Sequence, residues 1–379
     1  MNNSVDLNNS VDVFTVLERE LQSRATFTVV IDSLLFLFFA VTGLIGNVCV
    51  CLAVYRNASL RSKATNVVVA SLAISDVLTC SVMAPFFLSV LVTGRWLFDE
   101  AVCKFQAMAM YSLVGVSLYL MALIAVNRYY CVVKQEKYRA IFSCKSTFIF
   151  VLFTWLVVFG SVIAFYFFKM FQFYFHPLKA TCVLYVGPKT NSVILAHLAN
   201  YASSALFMMF PFAIFISSYA RIFRHVRRHQ INVTSTLQTS AETEGSSSSS
   251  RAAELKMTRA MFVIVFVYML CWIPVFVTEI VMNTAYTWDQ IDRNLALATT
   301  GLGLMSSVIN PWIISIMNRT FRKEIHMILC CKSSWFWLWD LNSAGLKEIW
   351  AVGLLVGVAV KDVKRNELIT LIFFSKRAR

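Results

Sequence analysis

Seven stretches of this chain are apolar for long enough to cross a lipid bilayer, and no other feature limits its fold as strongly. They run over about 27–55, 65–93, 103–133, 146–169, 192–223, 257–283 and 293–317. About 20 apolar residues in helical form span the hydrocarbon core. Lipid offers no partner to backbone N–H and C=O groups, so a spanning segment is a helix or a strand of a closed barrel. These runs are longer than barrel strands and do not alternate in polarity, so they read as helices. Composition agrees. Of 379 residues, 58 % are hydrophobic and 14 % charged, against about 25 % charged in soluble domains. A soluble enzyme, a disordered chain and a collagen-like chain are excluded together. The fold class expected is an all-α membrane protein, a seven-transmembrane helix bundle with a short amphipathic eighth helix.

The net charge of +14 would point to nucleic acid in a soluble protein. Here it sorts by membrane side, and no nucleic acid partner is expected. The stretches after the first, third, fifth and seventh runs carry more than twice as many Lys and Arg as those between the others. Basic residues collect on the cytoplasmic side, so residues 1–26 are expected to be an extracellular tail at the plasma membrane. Residues 1–25 lack the basic start and short apolar core of a signal peptide. Asn2 and Asn8 open sequons in that tail and are candidate glycosylation sites. The bundle then covers 27–317, with a Ser-rich third cytoplasmic loop over about 226–254 expected to be disordered. Residues 318–331 place Phe321, Ile325, Ile328 and Leu329 on one side of a basic helix, which suits the inner membrane surface. Cys330 and Cys331 at its end are either palmitoylated or plain thiols. Residues 332–379 form a tail of unusual composition, whose apolar run 349–360 is too short to span.

Individual residues within the runs make a pattern. Gly46-Asn47 lies in the first and Leu72-Ala73-Ile74-Ser75-Asp76 in the second. The third opens at Cys103 and closes on Asn127-Arg128-Tyr129. Trp155 lies in the fourth, Pro211 and Tyr219 in the fifth, Cys271-Trp272-Ile273-Pro274 in the sixth and Asn310-Pro311 in the seventh. One such set per helix, in this order, resembles the rhodopsin-like (class A) G-protein-coupled receptors. The resemblance covers about 27–331. It implies a receptor without enzymatic activity that passes an extracellular small-molecule signal to a heterotrimeric G protein, with membrane lipid around it. It also implies a disulfide between Cys103 and Cys182, on the oxidising side.

The residues support further readings beside the resemblance. Asp76 is an ionisable group deep in an apolar helix, where charge is costly unless it faces a polar cavity. With Ser117, Ser306 and Asn310 it forms either a site for Na⁺, a hard cation that takes several oxygen ligands, or a dry hydrogen-bond network. Arg128, with Glu254 at the start of the sixth helix, supplies both halves of the family's inactive-state ion pair. The bland alternative is two solvated charges. Asn127 replaces the acidic residue usual before this Arg, which removes a restraint. Tyr129, Tyr219, Asn310 and Pro311 complete the switch set. The Tyr that usually follows Asn-Pro in the seventh helix is Ile314 here, so it cannot meet Tyr219.

Absences narrow the ligand. Leu304 stands where opsins carry the Lys that binds retinal, so no retinal cofactor is expected. Met110 stands where aminergic receptors carry an Asp. Met110 with Asn127-Arg128-Tyr129 is similar to the melatonin receptors, which implies a melatonin-like ligand and Gi/o coupling. Phe165 and Phe207 depart from that pattern. Met110, Tyr111, Asn200, Phe207, Trp272 and Phe276 would line an aromatic, largely neutral pocket. Glu279 is the acidic residue of the outer sixth helix, and it meets a cationic ligand, Lys179 or the surface. A peptide or a biogenic amine at a non-standard site is the alternative ligand class. A transporter or channel is the alternative function, but no internal repeat appears and the helix count is odd.

Overall fold

The structure is a computed structural model and describes residues 15–168, 172–185, 202, 205–236, 245–285 and 292–330. The chain divides into residues 1–326 and 327–379, and the first unit holds the bundle. A short helix α1 (15–22) precedes α2 (Thr26–Arg56), α3 (Ala58–Arg61), α4 (Ala64–Thr93), α5 (Glu100–Val133), α6 (Gln135–Ile141) and α7 (Cys144–Phe167). A hairpin of β1 (Gln172–His176) and β2 (Thr181–Tyr185) follows. Then come a π-helical turn (Ala205–Met209), α8 (Phe210–Thr236), α9 (Gly245–Ala285), α10 (Arg293–Met317) and α11 (Arg319–Leu329). Seven of these helices are long and apolar enough to cross a membrane. They match the seven apolar runs of the sequence.

Lipid-facing and core-facing residues separate as a bilayer solvent requires. Phe27, Leu34 and Phe38 of α2 and Phe153 and Leu156 of α7 point outward, whereas Val50, Val68, Ala107, Val116 and Ile124 are buried. Lipid provides little drive for helices to associate, so close packing through small residues does that work. Gly46 shows it. A Cβ there would lie 2.9 Å from the Pro311 side chain, so glycine is what lets α2 and α10 approach.

One expectation is corrected, and two details are added. The third loop, expected over 226–254, is helical at both ends, because α8 runs to Thr236 and α9 starts at Gly245. Helix growth is cooperative, and the serines before Arg251 are carried along by α9. Pro211 does not sit mid-helix. Its ring would clash with the carbonyl four residues back, and the π-helical turn over Ala205–Met209 opens the backbone there, at the start of α8. The tail 1–26 is not featureless, since 15–22 are helical and Leu17 and Leu21 are buried.

That short helix packs on the end of the bundle where α2 begins, called the upper end below. Leu21 joins Phe36, Phe87, Val90, Leu91, Ala180 and Leu304 in one apolar cluster. Arg24 Nε donates to the Leu21 carbonyl (2.9 Å) and its guanidinium lies 3.8 Å from Asp32. Arg293 donates to the Glu20 carbonyl (3.0 Å). Gly94 ends α4 in the left-handed region (φ 71°). Its bare Cα is required twice, since a Cβ would also lie 2.8 Å from the Gln22 Cα.

Candidate functional site

The hairpin is fixed over the upper end covalently and by hydrogen bonds. Cys103, near the start of α5, is bonded to Cys182 of β2, with Cα atoms 5.6 Å apart. Gln106, one turn further on, donates to the Thr181 hydroxyl (2.8 Å) and accepts from the Cys182 N–H (3.1 Å). The Tyr111 hydroxyl accepts from the Leu184 N–H (3.1 Å). Gln106 was not singled out from the sequence; its spacing of three from Cys103 was the available signal. His176 ends β1 and is buried. Burial first, and the Lys179 charge second, push its pKa down to about 3, so it is neutral.

Beneath the hairpin lies a cavity of about 100 Å³. Met110, Tyr111, Trp272, Phe276 and Glu279 line it. Leu304 lines it too. Phe207 is not among its lining residues. Placed by the π-helical turn, it packs against Phe165 (ring centroids 6.2 Å apart) and faces Gly115. Asn200 lies outside the described residues. Glu279 is paired with Lys179 of the hairpin turn, which was one of the three partners open to it.

A run of polar contacts leads down from the cavity floor. Trp272 Nε1 donates to the Ser306 hydroxyl (2.9 Å), and Tyr268 stacks on Trp272 at 5.9 Å. Tyr268 and Ser117 hydrogen-bond. Ser117 donates to Ser75 (3.0 Å), which donates to the Leu113 carbonyl (3.1 Å). Asn310 Nδ2 donates to Asp76 Oδ2 (2.9 Å), and Ser307 also bonds that carboxylate. Asn47 donates to the Ser307 carbonyl (2.9 Å). Asp76 is 1 % exposed, and no ion pair among the described residues reaches it. A buried carboxylate with neutral partners fits a small monovalent cation. The hydroxyls of Ser117 and Ser306 are engaged with Ser75 and Trp272, so of the expected set Asp76 and Asn310 are joined directly.

At the lower end Arg128 is 2 % exposed and is not a solvated surface charge. Its guanidinium donates to Asn127 Oδ1 (2.9 Å) and to the Thr65 hydroxyl, and Thr65 donates to the same Asn127 oxygen (2.8 Å). The amide of Asn127 thus accepts from Arg128 without adding a negative charge. Thr65 was missed in the sequence, because nothing local marks a Thr at the start of α4 as a partner of α5. Tyr129 turns outward, under the Arg221 guanidinium at 5.8 Å. The side chain of Glu254 lies outside the described residues, as do Asn2, Asn8 and Cys331; Cys330 is exposed. Tyr219 is buried against Phe215 and Phe262, and its hydroxyl has no hydrogen-bond partner among the described residues. Ile314 is buried as well and offers none. A second cavity of about 290 Å³, lined by Lys63, Arg128, Cys131, Tyr138 and Cys144 among others, opens beside Arg128.

The family described as 7 transmembrane receptor (rhodopsin family) matches residues 46–314. The mouse melatonin receptor type 1B is 26 % identical over 290 residues, covering 75 % of this chain and 74 % of its own. The D(1)-like dopamine receptor of Takifugu rubripes is 28 % identical over 346 residues, with 83 % and 72 % covered. The human neuropeptide Y receptor type 4-2 is 25 % identical over 308 residues, with 78 % of each chain covered.

Proposed function

The chain belongs to the rhodopsin family of seven-transmembrane receptors, and on that premise we propose that it takes a small, largely apolar ligand in the upper cavity and releases Arg128 at the lower end to a heterotrimeric G protein. The upper end is then extracellular, at the plasma membrane. The observation that carries this reading is Trp272, which floors the cavity while its indole is tied to Ser306 of α10. A ligand that moves Trp272 acts on two helices at once. It needs no covalent chemistry, only better binding to one of two bundle states. Pro274 removes a backbone donor two residues beyond Trp272 and gives α9 a place to bend. The state described here has Arg128 buried and held, which is the resting arrangement.

Three finer readings follow. A melatonin-like ligand is favoured over a biogenic amine at the helix-three position, because Met110 lines the cavity where an amine receptor presents a carboxylate. Coupling to Gi/o rests on the likeness of Asn127-Arg128-Tyr129 to the melatonin receptors. Sodium beside Asp76, with Asn310 and Ser307 as neighbours, would supply a positive charge that steadies the buried carboxylate in the resting state.

Nucleotide exchange across a G-protein panel, measured in cells at matched surface expression, tests the proposal. The wild type is expected to show basal or ligand-driven exchange that Arg128→Ala abolishes. Exchange unaffected by Arg128→Ala would sink it. Ile314→Tyr gives Tyr219 a polar partner and is expected to raise the maximal signal.

A further inference from the structure

Among the described residues the wall of the upper cavity carries two charged side chains, Lys179 and Glu279, and they are paired with each other. The rest of the wall is apolar, aromatic or hydroxyl-bearing. A charged ligand entering this space must take one member of the pair, and the member it displaces must find water or another partner. The two members differ in that respect. The Lys179 side chain is 4 % exposed and that of Glu279 is 21 % exposed.

Their backbones differ in the same sense. Lys179 ends the short 3-10 turn between the two strands, and the Thr300 hydroxyl donates to its carbonyl (3.4 Å). The next residue, Ala180, closes that turn in the left-handed conformation and is itself buried in the apolar cluster. Lys179 therefore cannot swing into water without dismantling the hairpin. Glu279 stands on α9, already in partial contact with solvent. A ligand ammonium would pair with Glu279 and strand Lys179 in the interior, and a stranded buried charge is strongly unfavourable. A ligand anion would pair with Lys179 and leave Glu279 to turn toward water. Neighbouring His176 is neutral, so it adds no second cation, and the wall offers one positive centre to one anion.

We infer that the ligand of this cavity is a molecule with an apolar, aromatic body and one anionic group of the carboxylate kind, held by Lys179, with Glu279 as the displaced partner. This rests on the reading of the cavity as the ligand site. It adds a charge that the melatonin likeness does not contain, and it argues against the amine alternative at Glu279.

Three matched probes test it: naphthylpropanoate, naphthylpropylamine and naphthylpropanamide, which share a body and differ at the end group. Binding is read as thermal stabilisation of the full-length purified protein. The acid is expected to bind at least tenfold tighter than the amine, with the amide between them. Lys179→Arg keeps the order. Exchanging the charges, Lys179→Glu together with Glu279→Lys, preserves the pair but puts the carboxylate on the buried side, and the order is expected to reverse. Should the exchanged protein not fold, Lys179→Met is expected to bring acid affinity down to that of the amide. An amine that binds the wild type as tightly as the acid, an order that survives the charge exchange, an acid affinity untouched by Lys179→Met, or binding by none of the probes overturns the inference. Binding is measured without a G protein. An intact probe order with no nucleotide exchange would therefore count against the receptor mechanism and leave the ligand class standing.

Discussion

The partners described for the buried cations at the two ends of the bundle differ in kind. At the outer end Lys179 meets a full counter-charge in Glu279, and the hairpin that carries it is tied by the Cys103–Cys182 bond and by Gln106. At the inner end the guanidinium of Arg128 is as deeply buried, yet the partners described for it, Thr65 and Asn127, are both neutral. A disulfide and a buried ion pair make a rigid frame for a ligand. Neutral hydrogen bonds to a cation contribute roughly 1.5–3 kcal/mol each, enough to hold a resting state and little enough for a G protein to replace.

The largest effect should come from the outer frame. Cys182→Ser removes a link closing a long loop, and such losses cost about 2–5 kcal/mol. Surface receptor, counted by an N-terminal epitope tag, is expected to fall severalfold. Normal surface level with unchanged thermal stability would show that Gln106 and Tyr111 hold the hairpin alone. At the inner end Thr65→Val deletes one acceptor of Arg128 while keeping shape. The expected result is a rise in basal nucleotide exchange of about tenfold, from the roughly 1.5 kcal/mol that a bond to a charged group contributes. Unchanged basal exchange would mean that Asn127 is the sufficient latch.

Acid sharpens the comparison, because the outer end holds a neutral buried imidazole. The folded-state pKa of His176 is about 3, below the ordinary value near 6.5. The unfolded chain therefore binds the extra proton first. Stability is complete above about pH 6.5 and declines as pH falls from there toward 3, by about 2 kcal/mol at pH 5. Melting of the purified protein between pH 7 and pH 5 should show this, and His176→Phe should flatten the profile. A wild-type slope identical to that of the variant would exclude His176 as the acid-sensitive group.

What the sequence disclosed and what it hid follow from range. Spanning helices are legible because bilayer thickness imposes a length on every apolar run, and all seven appear where the runs lie. Met110, Trp272 and Asp76 were legible because each is an outlier for its setting or part of an ordered pattern. Thr65 and Gln106 were not, since each is an ordinary residue whose partner lies on another element, 63 and 75 positions away. The α1 helix escaped notice because its hold on the bundle, Arg24 to Asp32 and Leu21 against Phe36 and Phe87, exists only once α2 and α4 are side by side. Phe207, put in the pocket on the family likeness, packs against Phe165 and faces Gly115, contacts that no local sequence signal marks.

The smallest effect is also the one that tests the contrast most directly. Asn127→Asp puts a negative charge on the acceptor that Arg128 and Thr65 share. The oxygen that accepts from Arg128 and Thr65 is kept in place and becomes anionic. The bond from Arg128 is already charge-assisted and becomes an ion pair, but both groups are desolvated in the resting state, so the net gain is modest, about 1 kcal/mol. Basal nucleotide exchange is expected to fall about fivefold at equal surface expression, with the maximal response to a ligand retained and shifted to higher concentration. A basal rate that does not move would show that Asn127 already restrains Arg128 as well as a carboxylate can, and the two ends would then differ in chemistry without differing in grip. A basal rate that rises would mean that the new charge draws Arg128 away from Thr65, and that the hydroxyl is the true latch.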